Sequence, residues 1–179
     1  MKKKKQIGPN NELVIDFLYI DLSECGRCQS SDKKLDEAIR ELREQIHRKN
    51  INSIKINKTK ISSDKKAKEH NLIRSPTLRI NGQDIEEIVN DEYNIKENYC
   101  PSCSNVAGTE CYEITGEGEN QCRVFKYKGK TYENIPKQMI KEAIKKELNI
   151  KKETPSTCCQ SPKQVTKLSE SKTKDNSCC

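Results

Sequence analysis

The segment LVIDFLYIDLSECGRC, residues 13–28, joins an apolar run to a pair of cysteines. Its first half, Leu13–Ile20, is almost continuously apolar and rich in β-branched and aromatic residues, which is typical of a central strand buried on both faces. Asp16 within it is a candidate proton relay, or pairs with a lysine or arginine. The second half is a loop that ends in Cys25-Gly-Arg-Cys28, a C-x-x-C pair of the kind found at the start of a helix.

Downstream residues continue an alternation of strands and helices. Apolar residues recur at three- and four-residue steps over 35–46, which predicts an amphipathic helix after Ser31-Asp32. Residues 51–61 alternate and predict a strand, and 62–64 carry an N-cap signal for a short charged helix to about Asn71. The next strand in this series of strands and helices is entered through a proline.

The next strand is entered through Ser75-Pro76-Thr77 and left by the turn dipeptide Asn81-Gly82. Residues 122–127 alternate as a further strand, and a helix is predicted from Pro136 to 148. The order is βαβαββα, which is the order of the thioredoxin fold, an α/β class. A C-x-x-C pair beside a βαβ pattern is typical of thioredoxin-like redox motifs.

Four motifs extend the likeness to single residues: 16–22, Cys25-x-x-Cys28, 75–82 with Ser-Pro-Thr-x-Arg-x-Asn-Gly, and Cys122-Arg-Val. With them the chain resembles, over roughly residues 12–148, a small prokaryotic family catalogued as domain of unknown function 2703. The resemblance implies a thioredoxin-like fold and no established activity. It also implies that Pro76 follows a cis peptide bond and packs beside the cysteine pair.

Cys25 and Cys28 are the candidate exchange pair, with Pro76 as the third residue of the predicted catalytic set. A thiol at a helix N-terminus faces unpaired N–H groups that favour thiolate, so Cys25 is predicted to attack and Cys28 to resolve the mixed disulfide. Arg27 adds positive charge, while Glu24 opposes thiolate formation. The hypothesis is thiol–disulfide exchange, with no cofactor required and with protein or small-molecule thiols and disulfides as partners; whether it is an oxidoreductase stays open.

Four cysteines lie in or next to the irregular segment 83–121, which we predict to be an insertion: Cys100, Cys103, Cys111 and Cys122. Four thiolates suit tetrahedral zinc, and a polar, glycine-rich segment needs such a metal to hold its shape. A second redox pair and independent thiols are the alternatives.

The C-terminal segment 151–179 is rich in lysine and serine and is predicted to be disordered. It carries two vicinal pairs, Cys158-Cys159 and Cys178-Cys179. Adjacent thiolates suit soft ions such as trivalent arsenic, mercury or copper. This gives the alternative function: a binding protein for a soft metal or metalloid, or for zinc, that uses the C-x-x-C pair and the tail pairs.

Charge and composition limit the remaining classes. The net charge of +7 comes from the basic extension 1–11 and from the tail, while the domain at 12–150 is neutral. The absence of tryptophan argues against an aromatic nucleic-acid platform, so no specific nucleic acid is expected. No membrane span or signal peptide is predicted. We therefore expect a cytoplasmic protein, in which ten cysteines indicate redox or metal chemistry.

Overall fold

The structure is a computed structural model that describes residues 11–23, 25–90, 96–99 and 121–151. The predictions for Glu24, for Cys100, Cys103 and Cys111, and for the segments before Asn11 and after Lys151 lie outside these ranges. They remain predictions.

The described chain forms strands and helices in an alternating order. They are β1 (Glu12–Tyr19), α1 (Gly26–His47), β2 (Ser53–Lys60), α2 (Asp64–Glu69), β3 (Thr77–Ile80), β4 (Gln83–Asp84), α3 (Ile85–Asn90), β5 (Lys96–Tyr99), β6 (Gln121–Tyr127), β7 (Lys130–Tyr132) and α4 (Lys137–Glu147). None of the helices within the described ranges is long and apolar enough to cross a membrane.

The central sheet is mixed, with strand order β2-β1-β3-β4. Strand β1 runs parallel to β2 and antiparallel to β3, which confirms the predicted α/β class and the central position of β1. The turn at Asn81-Gly82 has positive φ at both residues, so the chain reverses at once into the two-residue strand β4. Residues 122–127, predicted as a further strand, lie in β6, which pairs with β5 and β7.

The segment 83–121 is more regular than predicted, because it contains β4, α3 and β5. Helix α3 begins after Asp84, whose carboxylate accepts a hydrogen bond from the backbone N–H of Glu86 at 2.9 Å. An acidic residue three positions later, Glu87, completes the sequence signature of a helix start. The helix-start signal is therefore present in the sequence, but α3 itself is only six residues long.

The described residues form two buried apolar clusters, and β1 supplies residues to both. Leu13, Ile15 and Phe17 belong to the larger one, here called the main core, in which α1 and α4 meet. The main core comprises Leu13, Ile15, Phe17, Leu35, Ala38, Leu42, Ile46, Ile51, Leu78, Ile80, Ile85, Ile88, Phe125, Tyr127, Ile135, Met139, Ile140, Ala143, Ile144 and Leu148. Leu18 and Ile20, further along β1, belong to the smaller cluster.

Candidate functional site

The first cysteine of the C-x-x-C pair caps helix α1. Cys25 has an extended backbone, and its sulfur accepts a hydrogen bond from the backbone N–H of Cys28 at 3.4 Å. Helix α1 therefore begins at Gly26, earlier than the apolar periodicity from Leu35 indicated. A sulfur in the N-cap position meets the unpaired N–H groups of the first turn, which stabilise negative charge there.

The second cysteine is held by the loop that precedes β3. The Ser75–Pro76 peptide bond is cis, as the resemblance implied. The hydroxyl oxygen of Ser75 accepts the backbone N–H of Ile20 at 3.3 Å and lies 3.5 Å from the sulfur of Cys28. Because an N–H already occupies one side of this oxygen, the hydroxyl hydrogen is available to the Cys28 sulfur.

The pKa of Cys28 is raised strongly. The largest cause is the hydrogen bond with Cys25, followed by burial and by the negative charge that Cys25 carries when it is a thiolate. Ser75 and the backbone of Ile20 oppose this rise through their hydrogen bonds. Within the pair, burial and the contact with Cys25 therefore favour the protonated form of Cys28.

A third thiol, Cys122, shares the apolar surroundings of the pair. The smaller cluster, here called the thiol cluster, consists of Leu18, Ile20, Cys25, Cys28, Ile61, Ala67, Leu72 and Cys122. The exposed fraction is 4% for Cys25, 1% for Cys28 and 3% for Cys122, and all three are thiols in the structure. Cys25 is slightly more exposed than Cys28, but both are buried.

Charged side chains surround the loop and the start of the helix. Arg27 pairs with Glu133 at 3.1 Å, so its positive charge is partly balanced and does not act on Cys25 alone. Asp21, in the loop before the pair, pairs with Lys60 at 2.9 Å and accepts the backbone N–H of Ser23 at 2.6 Å. These contacts fix the loop that leads into α1.

Behind the cluster lies a buried ion network centred on Arg123, the residue after Cys122. Its guanidinium is fully buried and donates to Asp84 at 2.6 and 2.7 Å and to Glu86 at 2.8 Å. A further bond of 3.2 Å reaches Thr77, and the guanidinium carbon lies 4.8 Å from the ring centre of Phe125. Buried charges require such pairing, so Arg123 fixes β6 against β3, β4 and α3.

The predicted relay residue Asp16 lies on β1, where its carboxylate accepts a hydrogen bond from the Asn57 amide at 2.8 Å. The partner that the structure shows is thus a neutral amide on β2, where we had considered a lysine or arginine. The relay role of Asp16 stays a prediction.

The predicted zinc set is represented by one member, Cys122, which the structure brings together with Cys25 and Cys28. Within the described ranges, no three cysteine, histidine or acidic side chains are arranged to hold a metal ion. The other predicted metal ligands, in the insertion and in the tail, fall outside those ranges. Zinc in the insertion stays a prediction.

Comparison with known proteins gives one result. A sequence model described as domain of unknown function (DUF2703) matches residues 13–144. The chain belongs to the DUF2703 family. The match includes Cys25, Cys28, Pro76 and Cys122. No curated protein and no solved structure matches this DUF2703 chain.

Two features of the site in this DUF2703 chain were not predicted from its sequence: the hydroxyl of Ser75 and the network of Arg123. The sequence did contain a signal for the Arg123 network. A basic residue in the apolar strand around Cys122 requires acidic partners, and Glu86 comes shortly after the turn that follows β3. The role of Ser75 depends on a sulfur 47 positions away, which no local pattern indicates.

Proposed function

We propose that this protein performs thiol–disulfide exchange on a thioredoxin-like scaffold, with Cys25 as the attacking sulfur and Cys28 as the resolving sulfur. The observation that carries the proposal is the arrangement of the two sulfurs. Cys25 caps the helix through its sulfur, while Cys28 lies on the Ser75 hydroxyl beside the cis Ser75–Pro76 bond. The sheet order β2-β1-β3-β4, with β1 central, supports the same scaffold.

The first step uses the charge on Cys25. Its thiolate attacks one sulfur of a substrate disulfide, the substrate S–S bond breaks, and the departing sulfur leaves as a thiolate that takes up a proton. A mixed disulfide between Cys25 and the substrate results. The helix N-terminus favours the starting thiolate, because the Cys28 N–H points at the Cys25 sulfur.

The second step follows from what raises the pKa of Cys28. Two of the three raising causes, the hydrogen bond with Cys25 and the Cys25 charge, involve the Cys25 sulfur. In a mixed disulfide that sulfur carries no charge, so its repulsion of a Cys28 thiolate is lost, while the Ser75 hydroxyl stays beside Cys28. Cys28 then deprotonates more readily, attacks the Cys25 sulfur and releases the second substrate thiol. The two protein thiols become a disulfide and the substrate disulfide becomes two thiols.

Soft-ion capture is the second candidate, and it is favoured by the presence of three thiols in one cluster. Thiolates are the donors that trivalent arsenic, mercury and Cu⁺ prefer. Against it, no three ligating side chains of the described residues are arranged around a common point. The tail pairs at 158–159 and 178–179 would have to complete such a site.

The two functions are separated by serine variants of the full chain. For exchange, Cys25→Ser should reduce the reaction with a disulfide probe to background, and Cys28→Ser should accumulate a mixed disulfide on Cys25. A variant with serine at the four tail cysteines is the matched control and should exchange at the wild-type rate. Reaction is followed by release of the chromophoric probe thiol and by intact mass.

The opposite pattern would reject exchange. In that case the Cys28→Ser variant would form no mixed disulfide, and the tail variant would lose most of its binding of phenylarsine oxide. Binding that survives in the tail variant but is lost in Cys25→Ser would place any soft-ion site at the thiol cluster instead.

A further inference from the structure

Cys122 lies in the same apolar cluster as the exchange pair, although it is 94 residues beyond Cys28 in the sequence. Its position follows from the pairing of β6, in which Cys122 is opposite Asn98 of β5. It is 3% exposed, comparable with the two cysteines of the pair. Three nucleophilic side chains therefore share one apolar environment.

Ser75 connects Cys122 to Cys28. Its hydroxyl lies 3.5 Å from the Cys28 sulfur, and its carbonyl oxygen accepts the backbone N–H of Arg123 at 3.0 Å. Since that N–H belongs to the peptide bond formed by Cys122, one serine holds both the sulfur of Cys28 and the backbone of Cys122. The fully buried guanidinium of Arg123, bound to Asp84 and Glu86, then fixes this part of β6 in place.

We propose that Cys122 is the third thiol of the exchange site and that it attacks the Cys25–Cys28 disulfide at the Cys28 sulfur. The inference rests on the proposed exchange function. Cys122 loses its proton, the Cys28–Cys122 bond forms and the Cys25–Cys28 bond breaks. Cys25 leaves as a thiolate and takes up one proton. The step is a disulfide isomerisation with no net oxidation. It regenerates the Cys25 thiol for another attack and leaves the disulfide between Cys28 and Cys122 in the thiol cluster.

The disulfides can be mapped by peptide mass spectrometry on the full chain. Combined cleavage after arginine, lysine and glutamate gives separate peptides for the three thiols: 25–27, 28–33 and 120–123. In the Cys25→Ser variant, diamide, a two-electron oxidant, should join 28–33 to 120–123. We expect this linked peptide to be at least ~10-fold more abundant from the native variant than from the same variant oxidised in concentrated urea, because folding holds the two sulfurs close. Cys25→Ala, with the larger change in polarity, serves as a second variant.

In the wild type, one equivalent of diamide should give the 25–27/28–33 link first, and the 28–33/120–123 link should replace it with time. The inference is overturned if Cys28 pairs with Cys100, Cys103 or Cys111 as often as with Cys122, or if native and unfolded protein give the same map. Failure of the exchange function is measured separately, by the disulfide probe. The linked peptide shows whether the Cys122 sulfur reaches the Cys28 sulfur, independently of the rate at which the protein reacts with the disulfide probe.

Discussion

The main core and the thiol cluster are both apolar and both take residues from β1, yet they differ in what their burial achieves. The main core joins α1, α3 and α4 to the sheet through twenty buried side chains of which none is a cysteine. The thiol cluster has eight, and three of them are cysteines. Burial in the main core contributes mainly free energy of folding, whereas burial in the thiol cluster also raises the pKa of Cys28.

With fewer apolar side chains, the thiol cluster depends more than the main core on polar contacts at its border. Ser75 binds the backbone of Ile20 and the sulfur of Cys28, and Arg123 fixes the strand that carries Cys122. The following variants test this division between apolar and polar support, starting with the largest expected effect.

Replacing Arg123 by methionine should destabilise the protein by about 3–5 kcal/mol, because the buried carboxylates of Asp84 and Glu86 lose their counter-charge. The free energy of unfolding is measured by urea denaturation. Adding Asp84→Asn and Glu86→Gln to Arg123→Met removes the unpaired charges and should recover part of the loss. A loss below about 1 kcal/mol in the single variant would mean that the network does not support β6.

A matched pair of leucines separates the two clusters directly. Leu42→Ala in the main core should cost about 2–5 kcal/mol of unfolding free energy, while the alkylation rate of Cys25 in the folded protein stays unchanged. Leu72→Ala removes the same atoms from the thiol cluster, where the leucine is 6% exposed, and should cost less but raise the alkylation rate. Equal changes in alkylation for both variants would show that the clusters are not separate.

Ser75→Ala removes the hydroxyl that lowers the pKa of Cys28. The pKa of Cys28 should rise further, so the resolving thiolate forms at higher pH and the mixed disulfide on Cys25 persists longer at neutral pH. The cost in unfolding free energy should be about 1 kcal/mol. Resolution rates measured across pH test this, with Ser62→Ala, an exposed serine before α2, as the control. An unshifted pH profile would remove Ser75 from the mechanism.

The smallest effect concerns the exposed bridge between α1 and α4. Hydrogen bonds from Lys137 at 2.8 Å and Lys141 at 2.6 Å lower the pKa of Glu41 from 4.5 to about 2. A lowered folded-state pKa stabilises the protein above the unfolded value and loses that effect as the pH falls from 4.5 toward 2. Urea midpoints of wild type and Glu41→Gln should therefore differ slightly at neutral pH and converge near pH 2. Added salt should narrow the neutral difference.

Local patterns predicted those elements whose signal lies within a few residues. The N-cap at Ser63, the Asn81-Gly82 turn and the periodicity of α1 and α4 were identified because capping, positive φ and helix amphipathicity are short-range properties. Strand β4 was missed because two residues cannot show an alternation. The pairing of β6 with β5 and β7 was not predicted, because strand partners depend on contacts that no single segment encodes.

Residue types and spacing indicated a strand that leads into a C-x-x-C pair and a later strand entered through Pro76, whereas the place of Pro76 beside the pair was implied only by the family resemblance. The contacts of Cys28 and of the Cys122 backbone with Ser75, and of Arg123 with two carboxylates, are seen only in the folded chain. The reason is that these contacts join residues 37 or more positions apart. They form only when the sheet and helices pack, which is what brings the Ser75 hydroxyl to the sulfur whose pKa it lowers.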